Sequence, residues 1–146
     1  MERKPACPVE QDVSSRPLAP HANGRPMTAP FTILVVEDEP LVSMSLANDL
    51  ETVGFVVLEA GSAAEAIKML ESRSDIRVII TDVDMPGTMD GLMLAAAVAK
   101  RWPPIRLIVV SGHRSVEITD IPDGAVFYSK PYRSAQIIDT MNEMLS

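Results

Sequence analysis

Short apolar runs rich in valine and isoleucine recur along the chain from residue 31 onward. Three of them are nearly continuous, at residues 31–36, 77–81 and 105–110, and residues 55–60 and 125–129 form weaker versions. Runs of this length are typical of strands that are buried on both faces, as the strands of a parallel sheet are. The pattern therefore predicts five strands.

Helical periods lie between the predicted strands. In the first of them, one face carries an apolar stripe, and Gly54 follows it as a stop signal. We expect this stripe to face the sheet. Its members are Val42, Leu46, Leu50 and Val53.

Residues that can cap a helix precede the later helical periods. Ser62 and Glu65 have the spacing of a capping box ahead of the second helix. Asp90 can cap a third helix, and Ser134 can cap the last one. The third helix must end near Trp102, because two prolines follow. The apolar faces predicted for these last two helices are Leu92, Ala95, Ala96 and Ala99, and Ile137, Ile138, Met141 and Leu145.

The alternation of strand and helix predicts an α/β fold, a doubly wound five-stranded parallel sheet with helices on both faces. Ligands of such sheets bind beyond the carboxyl ends of the strands. One connection departs from the pattern, because only 18 residues separate Ser111 from Lys130 and they must also hold a strand and two loops. Pro122 interrupts the remainder, so we expect a short or irregular fourth helix at residues 114–122.

Residues 1–30 differ in composition from the rest of the chain. They hold six of the twelve prolines and show no helical or strand period. Such a segment cannot bury enough surface to offset the entropy of ordering it, so we expect a disordered tail followed by one domain at residues 31–146. Two alternatives stay open: the tail is a proline-rich docking ligand, or translation starts at Met27.

Composition and charge narrow the class of protein. Apolar residues make up 47% and charged residues 23%, as in ordinary globular chains. The net charge of −7 becomes −8 over residues 31–146, so nucleic acid is not expected as a partner. Cys7 is the only cysteine, no signal peptide is visible, and no apolar run is long enough to span a bilayer. We therefore expect a cytoplasmic protein with no membrane partner.

Acidic residues follow two of the predicted strands. Glu37, Asp38 and Glu39 follow the first strand. Asp82 ends the third strand, and Asp84 stands two residues further on. The carboxyl ends of parallel strands lie on one edge of the sheet, so we expect these carboxylates to converge. Clustered carboxylates stay ionised together only with a cation among them, and oxygen ligands at a wet loop suit Mg²⁺ or Mn²⁺.

Two more polar residues stand at strand ends. Ser111 ends the fourth strand and can donate a hydrogen bond to a phosphoryl oxygen. Lys130 follows the fifth strand and can pair with another phosphoryl oxygen. With Asp82 as a nucleophile, these are the groups that phosphoryl transfer needs.

These residues carry a family resemblance. Over residues 31–146 the sequence resembles the response-regulator receiver domains of two-component signalling, in five segments that stand in the family's order. The resemblance implies a flavodoxin-like sheet with strand order 2-1-3-4-5 and a protein that carries an aspartyl phosphate. The matching segments are residues 35–40, 79–86, 89–92, 109–112 and 130–131.

The resemblance implies a role for each acidic residue at the strand ends. Asp82 would be the phospho-acceptor. Asp38 would bind the metal directly, and Glu37 would bind it through water. The backbone carbonyl of Asp84 would be the third protein ligand.

The resemblance also implies the residues of a switch. Ser111 would follow the phosphoryl group, Lys130 would pair with it, and the bond between Lys130 and Pro131 would be cis. Phe127 occupies the aromatic switch position, although its chemistry alone fits the core better. Strand alternation puts Phe127 and Tyr128 on opposite faces of the sheet.

Two departures from the family pattern stand next to the acceptor. The loop at residues 85–91 is one residue longer than usual, which affects the expected shape of that loop. Asp84 adds a negative side chain, and His113 stands two residues after Ser111. We expect Asp84 and His113 to tune the lifetime of the phosphoryl group. A loop histidine without a role is the alternative for His113.

The function expected from these features is that of a stand-alone receiver, since the chain ends at Ser146 directly after the last helix. A histidine kinase or a histidine phosphotransfer protein would supply the phosphoryl group. A downstream protein would bind the switched surface or accept the phosphate in turn. Beyond slow autodephosphorylation, we expect no substrate turnover.

Two alternatives stay open. A haloacid-dehalogenase-like phosphatase would use the D-x-D motif at residues 82–84, although that family has its motifs in the reverse order. A pseudo-receiver would bind partners without phosphorylation.

Overall fold

A computed structural model describes residues 31–84, 90–112 and 121–146 of the chain. The predicted tail, most of the long loop at residues 85–89, His113 and the segment at residues 114–120 lie outside the described residues. The elements in chain order are β1 (Thr32–Val36), α1 (Pro40–Thr52), β2 (Val56–Ala60), α2 (Ala63–Ser72), β3 (Ile76–Asp82), α3 (Gly91–Arg101), β4 (Arg106–Ser111), β5 (Val126–Ser129) and α4 (Ser134–Leu145).

The five strands form one parallel sheet in the order β2-β1-β3-β4-β5, which confirms the predicted fold class and topology. The chain reverses its direction of travel across the sheet after β2, so β1 and β3 are neighbours. One irregularity interrupts their pairing. Thr32 pairs with Ile76 and Ile33 pairs with Val78, so Arg77 is an extra residue on β3.

Two apolar layers cover the faces of the sheet. Leu34 and Val36 face the layer that includes α2 and α3, whereas Ile33 and Val35 face the layer that includes α1 and α4. All four side chains are at most 2% exposed, so both faces of β1 are buried, as its continuous apolar run predicts. At β5 the same alternation puts Phe127 against the first layer and Tyr128 against the second, as predicted.

The stop after the first helix lies where the sequence predicts it. Gly54 adopts φ of +105°, a left-handed conformation that glycine takes without steric cost, and its N–H bonds to the carbonyl of Glu51. The buried residues of α1 include Leu46 and Leu50. The prediction for Val53 is wrong, because Val53 follows the last helical residue and its side chain is 53% exposed.

The third helix is capped as predicted, and three of the four residues of its predicted face pack into the core. Asp90 accepts a hydrogen bond of 2.9 Å from the N–H of Met93. Leu94 and Val98 are fully buried, whereas Ala96 is exposed, so the prediction for Ala96 is wrong. Each residue turns a helix by about 100°, so a helix that faces the sheet with Leu94 and Val98 turns Ala96 outward.

The cap predicted for the last helix is also wrong. Ser134 is the first helical residue, and Arg133 occupies the cap position. The Ser134 hydroxyl instead bonds to the carboxylate of Asp49 on α1, and the side chain of Gln136 accepts the Arg133 N–H at 3.3 Å. Ile137 and Met141 are fully buried, as predicted for this helix. None of the helices in the described ranges has the length and apolar character needed to cross a membrane.

Candidate functional site

The carboxyl ends of four strands meet at one edge of the sheet and bring the predicted polar residues together. Asp82 is the last residue of β3, and Ser111 is the last residue of β4. Glu37 directly follows β1, and Lys130 directly follows β5. Three of these residues are nearly inaccessible, because Glu37, Asp82 and Ser111 are 6%, 3% and 1% exposed. A buried polar group needs a partner, so their contacts define the site.

Asp82 is held through both carboxylate oxygens. Lys130 Nζ donates to Asp82 Oδ2 at 2.8 Å, and the N–H of Asp84 donates to Asp82 Oδ1 at 3.0 Å. The carboxylate is thus fixed in one orientation at the base of the edge. A fixed, buried carboxylate next to an ammonium group is suited to act as an oriented nucleophile.

Three carboxylates lie close enough to share a cation. Oxygen atoms of Glu37, Asp38 and Asp82 all lie within 4.8 Å of one another. Lys130 is the only cation within salt-bridge distance of these acids among the described residues, with Nζ at 3.5 Å from Glu37 Oε1. One ammonium cannot balance three carboxylates. An oxygen-only set that combines two buried acids with the exposed Asp38 fits a divalent cation such as Mg²⁺.

The pKa of Glu37 is raised from 4.5 to about 7. Burial is the main cause, and the nearby charge of Asp82 acts in the same direction. The N–H of Glu39, at 3.2 Å from Glu37 Oε2, and the charge of Lys130 both act in the opposite direction. Without a metal ion, Glu37 therefore holds its proton up to neutral pH.

The pKa of Lys130 moves upward. Burial alone would lower it, but the hydrogen bond and the charge of Asp82, together with Glu37, outweigh the burial and raise it. Lys130 therefore carries its positive charge at neutral pH. The ammonium is a permanent partner for whatever negative group occupies this edge.

Ser111 forms hydrogen bonds with Lys130 and Asp84, the two residues that also bond to Asp82. Its carbonyl accepts the backbone N–H of Lys130 at 2.9 Å, and its hydroxyl donates to Asp84 Oδ2 at 3.4 Å. The Asp84 carboxylate thus contacts the hydroxyl that would follow a phosphoryl group. Phe127 is half-buried against the layer of α2 and α3, so its role as a switch stays a prediction.

The segment after β5 adds a residue that the sequence did not indicate. The Lys130–Pro131 peptide bond is cis. Tyr132 follows it, and burial raises the pKa of its phenol, with Glu37 and Asp82 adding to the rise and Lys130 opposing it. Tyr132 lines a cleft of about 760 Å³ beside Lys130. In the sequence, the position of Tyr132 directly after Lys130 and Pro131 was the feature that could have assigned it to the site.

Gly91 also belongs to the site, although sequence reasoning assigned it no role. A Cβ at this position would lie 2.0 Å from the carbonyl oxygen of Asp82. The Gly91 N–H donates to the carbonyl of Val83 at 3.1 Å. The start of α3 is therefore pressed directly against the backbone of Asp82. The signal in the sequence was a glycine that directly follows the helix cap Asp90.

Comparison with known proteins agrees with this geometry. The model of the response regulator receiver domain family matches residues 33–142. The sensor kinase CckA of Brucella abortus is 36% identical over 118 residues, which cover 78% of this chain and 12% of that protein. The C4-dicarboxylate transport transcriptional regulatory protein DctD of Rhizobium meliloti is 31% identical over 117 residues, which cover 78% of this chain and 25% of that protein. The chain thus spans a quarter or less of the length of these relatives.

Solved structures show the same fold. A response regulator receiver protein from Sinorhizobium medicae matches with a TM-score of 0.73 and 30% identity, over 80% of this chain and 94% of that one. The receiver domain of NtrX from Brucella abortus matches with a TM-score of 0.70 and 29% identity, over 77% of this chain and 97% of that one.

Proposed function

Because the chain belongs to the response regulator receiver domain family, we propose that it accepts a phosphoryl group on Asp82 in the presence of Mg²⁺. The donor is a phosphohistidine on a histidine kinase or a histidine phosphotransfer protein. The phosphorylated domain then binds a downstream protein or passes the phosphoryl group on. Family membership argues against the haloacid-dehalogenase-like alternative.

One observation carries the proposal. Asp82 is 3% exposed, yet its Oδ2 is 2.8 Å from Lys130 Nζ and its carboxylate is within 4.8 Å of Glu37 and Asp38 oxygens. A structural ion pair would need one acid for one ammonium. Among the residues that the structure describes, three acids surround one ammonium at the edge where such sheets bind ligands, which favours a site for a cation and a phosphoryl group.

The transfer step uses the groups at this edge. A carboxylate oxygen of Asp82 attacks the phosphorus atom, and a new P–O bond forms. The bond between phosphorus and the imidazole nitrogen breaks, and its electron pair stays on the imidazole. Lys130 pairs with the charge on the phosphoryl oxygens. Asp38, Asp82 and the carbonyl of Asp84 would hold a Mg²⁺ ion, with Glu37 acting through water, and the ion would supply further charge neutralisation.

The proposed switch follows from the charge that the phosphoryl group adds. The phosphoryl oxygens accept hydrogen bonds. The Ser111 hydroxyl gives up its hydrogen bond to Asp84 and donates to one of these oxygens instead. Phe127 lies on β5, which pairs with the strand that Ser111 ends, so a movement of Ser111 reaches Phe127 through one strand pair.

The test is incubation of the chain with acetyl phosphate and Mg²⁺, followed by intact mass measurement. We expect a gain of one phosphoryl group, which is absent with EDTA and absent in Asp82→Asn. The matched control is Asp139→Asn, which removes an exposed carboxylate on α4 and keeps the gain. No gain with any small-molecule donor would support the pseudo-receiver alternative. Steady hydrolysis of a generic phosphate ester would support the phosphatase alternative.

A further inference from the structure

A second cleft, of about 670 Å³, opens at the edge of the sheet opposite Asp82, where β3 and β4 begin and where α2 and α3 end. Leu70, Ile76 and Ile105 give it apolar surface. Its volume falls in the range of clefts that hold small molecules. Nothing in the phosphoryl transfer proposed above uses it.

Positive charge is concentrated around this cleft. Residues 70–77 and 100–106, which surround it, carry five basic and two acidic side chains. Residues 31–146 as a whole carry a net charge of −8. An excess of three positive charges in two short segments of so acidic a domain favours an anion at this edge.

Of these five basic side chains, Arg73 and Arg77 line the cleft. Arg73 is occupied by Asp75 through two hydrogen bonds of 2.9 and 2.6 Å, and Arg101 by Glu71 through one of 2.9 Å. Arg77 forms no ion pair with any carboxylate in the described part of the chain. It is therefore the arginine of the cleft that can offer its guanidinium to a ligand.

Arg77 is exposed and lies where the pairing between β1 and β3 is irregular. It is the extra residue on β3 where the pairing with β1 shifts, and its guanidinium carbon lies 5.2 Å from the centre of the Phe31 ring. Bulges of this kind re-aim a side chain and are common beside binding sites. Arg77 lines the cleft from this position.

An aromatic side chain lines the same cleft. Trp102 is half-buried, and the guanidinium carbon of Arg101 lies 4.3 Å from the centre of its ring. Indole and guanidinium planes are the surfaces on which flat rings stack. The cleft therefore combines a stacking surface with an arginine that has no carboxylate partner among the described residues.

We propose that this cleft binds a nucleotide, with the base against Trp102 and Arg101 and the phosphate on Arg77. A peptide is the less suitable occupant, because β3 and β4 are internal strands that already pair on both sides and offer no free edge for a peptide backbone. The nucleotide adds a flat ring and an anion at once, which matches both features of the cleft.

The test uses the fluorescence of Trp102, the only tryptophan of the chain. The full chain is titrated with adenosine 5′-monophosphate in EDTA, so that the acidic edge holds no divalent cation. Adenosine and inorganic phosphate are titrated separately. We expect a saturable change with the nucleotide and at least about tenfold weaker binding of each fragment, since each lacks one of the two contacts.

Variants separate this site from general charge attraction. Arg77→Ala should weaken nucleotide binding about tenfold or more. The affinity of Arg77→Lys should lie between that of Arg77→Ala and that of the parent, because lysine keeps the positive charge but cannot donate two parallel hydrogen bonds to a phosphate. The matched control is Arg133→Ala, which removes an exposed arginine from the opposite edge and should leave binding unchanged. The proposal is overturned if the nucleotide gives no saturable change or if Arg77→Ala binds the nucleotide like the parent. It is also overturned if inorganic phosphate binds as tightly as the nucleotide. A glutamate-rich peptide that alters Trp102 emission when the nucleotide does not would overturn it as well.

Discussion

Lys130 Nζ donates a hydrogen bond of 2.8 Å to Asp82 Oδ2, although the two residues are 48 positions apart in the chain. The contact joins the ends of β3 and β5, which are separated in the sheet by β4. It places the ammonium of Lys130 on the proposed acceptor. The stability, metal affinity and reactivity of this edge all depend on that charge.

Removal of the ammonium should destabilise the metal-free protein. In Lys130→Met the buried carboxylates of Asp82 and Glu37 lose their cation, and we expect a loss of about 1–3 kcal/mol in the free energy of unfolding at pH 8. Added Mg²⁺ should restore part of it, because a cation again balances the acids. Urea unfolding with EDTA and with Mg²⁺ measures both effects. The control Lys68→Met removes an exposed lysine from α2, and equal losses in the two variants would contradict the account.

Metal affinity should rise with pH. Glu37 has a pKa of about 7 instead of 4.5, so it is protonated below neutral pH and must release its proton for the acids to hold a cation. We therefore expect tighter Mg²⁺ binding as the pH rises through 7, with release of protons near that pH. Calorimetric titration in two buffers of different ionisation enthalpy measures the affinity and the proton count. A proton count of zero near pH 7 would contradict this prediction.

The raised pKa of Glu37 also determines how the stability of the metal-free protein changes with pH. Because the folded protein holds the Glu37 proton more tightly than the unfolded chain does, this contribution is fully present below pH 4.5 and is lost as the pH rises through about 7. In EDTA, Glu37→Gln should remove that loss and flatten the dependence of stability on pH over this interval. An unchanged slope in Glu37→Gln would assign the dependence to other groups.

Gly91 should tolerate no side chain. In Gly91→Ala the new Cβ meets the carbonyl of Asp82 at 2.0 Å, so the start of α3 or the acceptor must move. We expect a loss of about 1–3 kcal/mol in stability and slower phosphorylation. At Gly61 a Cβ would lie 3.6 Å from Glu65 Oε1, an ordinary contact, so Gly61→Ala is the matched control. Urea unfolding of both variants tests the difference, and similar losses would refute the contact.

Asp84 should shorten the life of the phosphoryl group. Its carboxylate holds the Ser111 hydroxyl at 3.4 Å and adds a negative charge beside the acceptor, which repels the phosphoryl oxygens. Asp84→Asn keeps the shape and removes the charge, so the phosphorylated form should decay several-fold more slowly. His113→Ala extends the test to the second predicted tuning residue. Decay timed by intact mass that is the same in both variants and the parent would rule out tuning by these residues.

The strands and the site were predictable because each depends on local sequence. A nearly continuous apolar run such as 105–110 is typical of a strand that is buried on both faces, and the parallel order then brings Asp82, Ser111 and Lys130 to one edge. The type of residue at each strand end was visible without any knowledge of packing.

The features that the sequence did not predict depend on tertiary contacts. A pattern of apolar and polar positions carries no information about these contacts. Ala96 and Leu94 are both apolar, and only the packing of α3 against the sheet decides which of them is buried. Ser134 has a side chain suited to a cap, but Asp49 on α1 binds it instead. Gly91 became significant only when the distance to Asp82 was known.

The most direct test of the central claim is to locate the phosphoryl group. The chain is phosphorylated with acetyl phosphate and Mg²⁺, the acyl phosphate is reduced with borohydride, and the modified residue is identified by peptide mass spectrometry. The account predicts reduction at Asp82 and at no other carboxylate. Modification at Asp38 or Asp84 with Asp82 intact, or no modification in a folded protein, would contradict it.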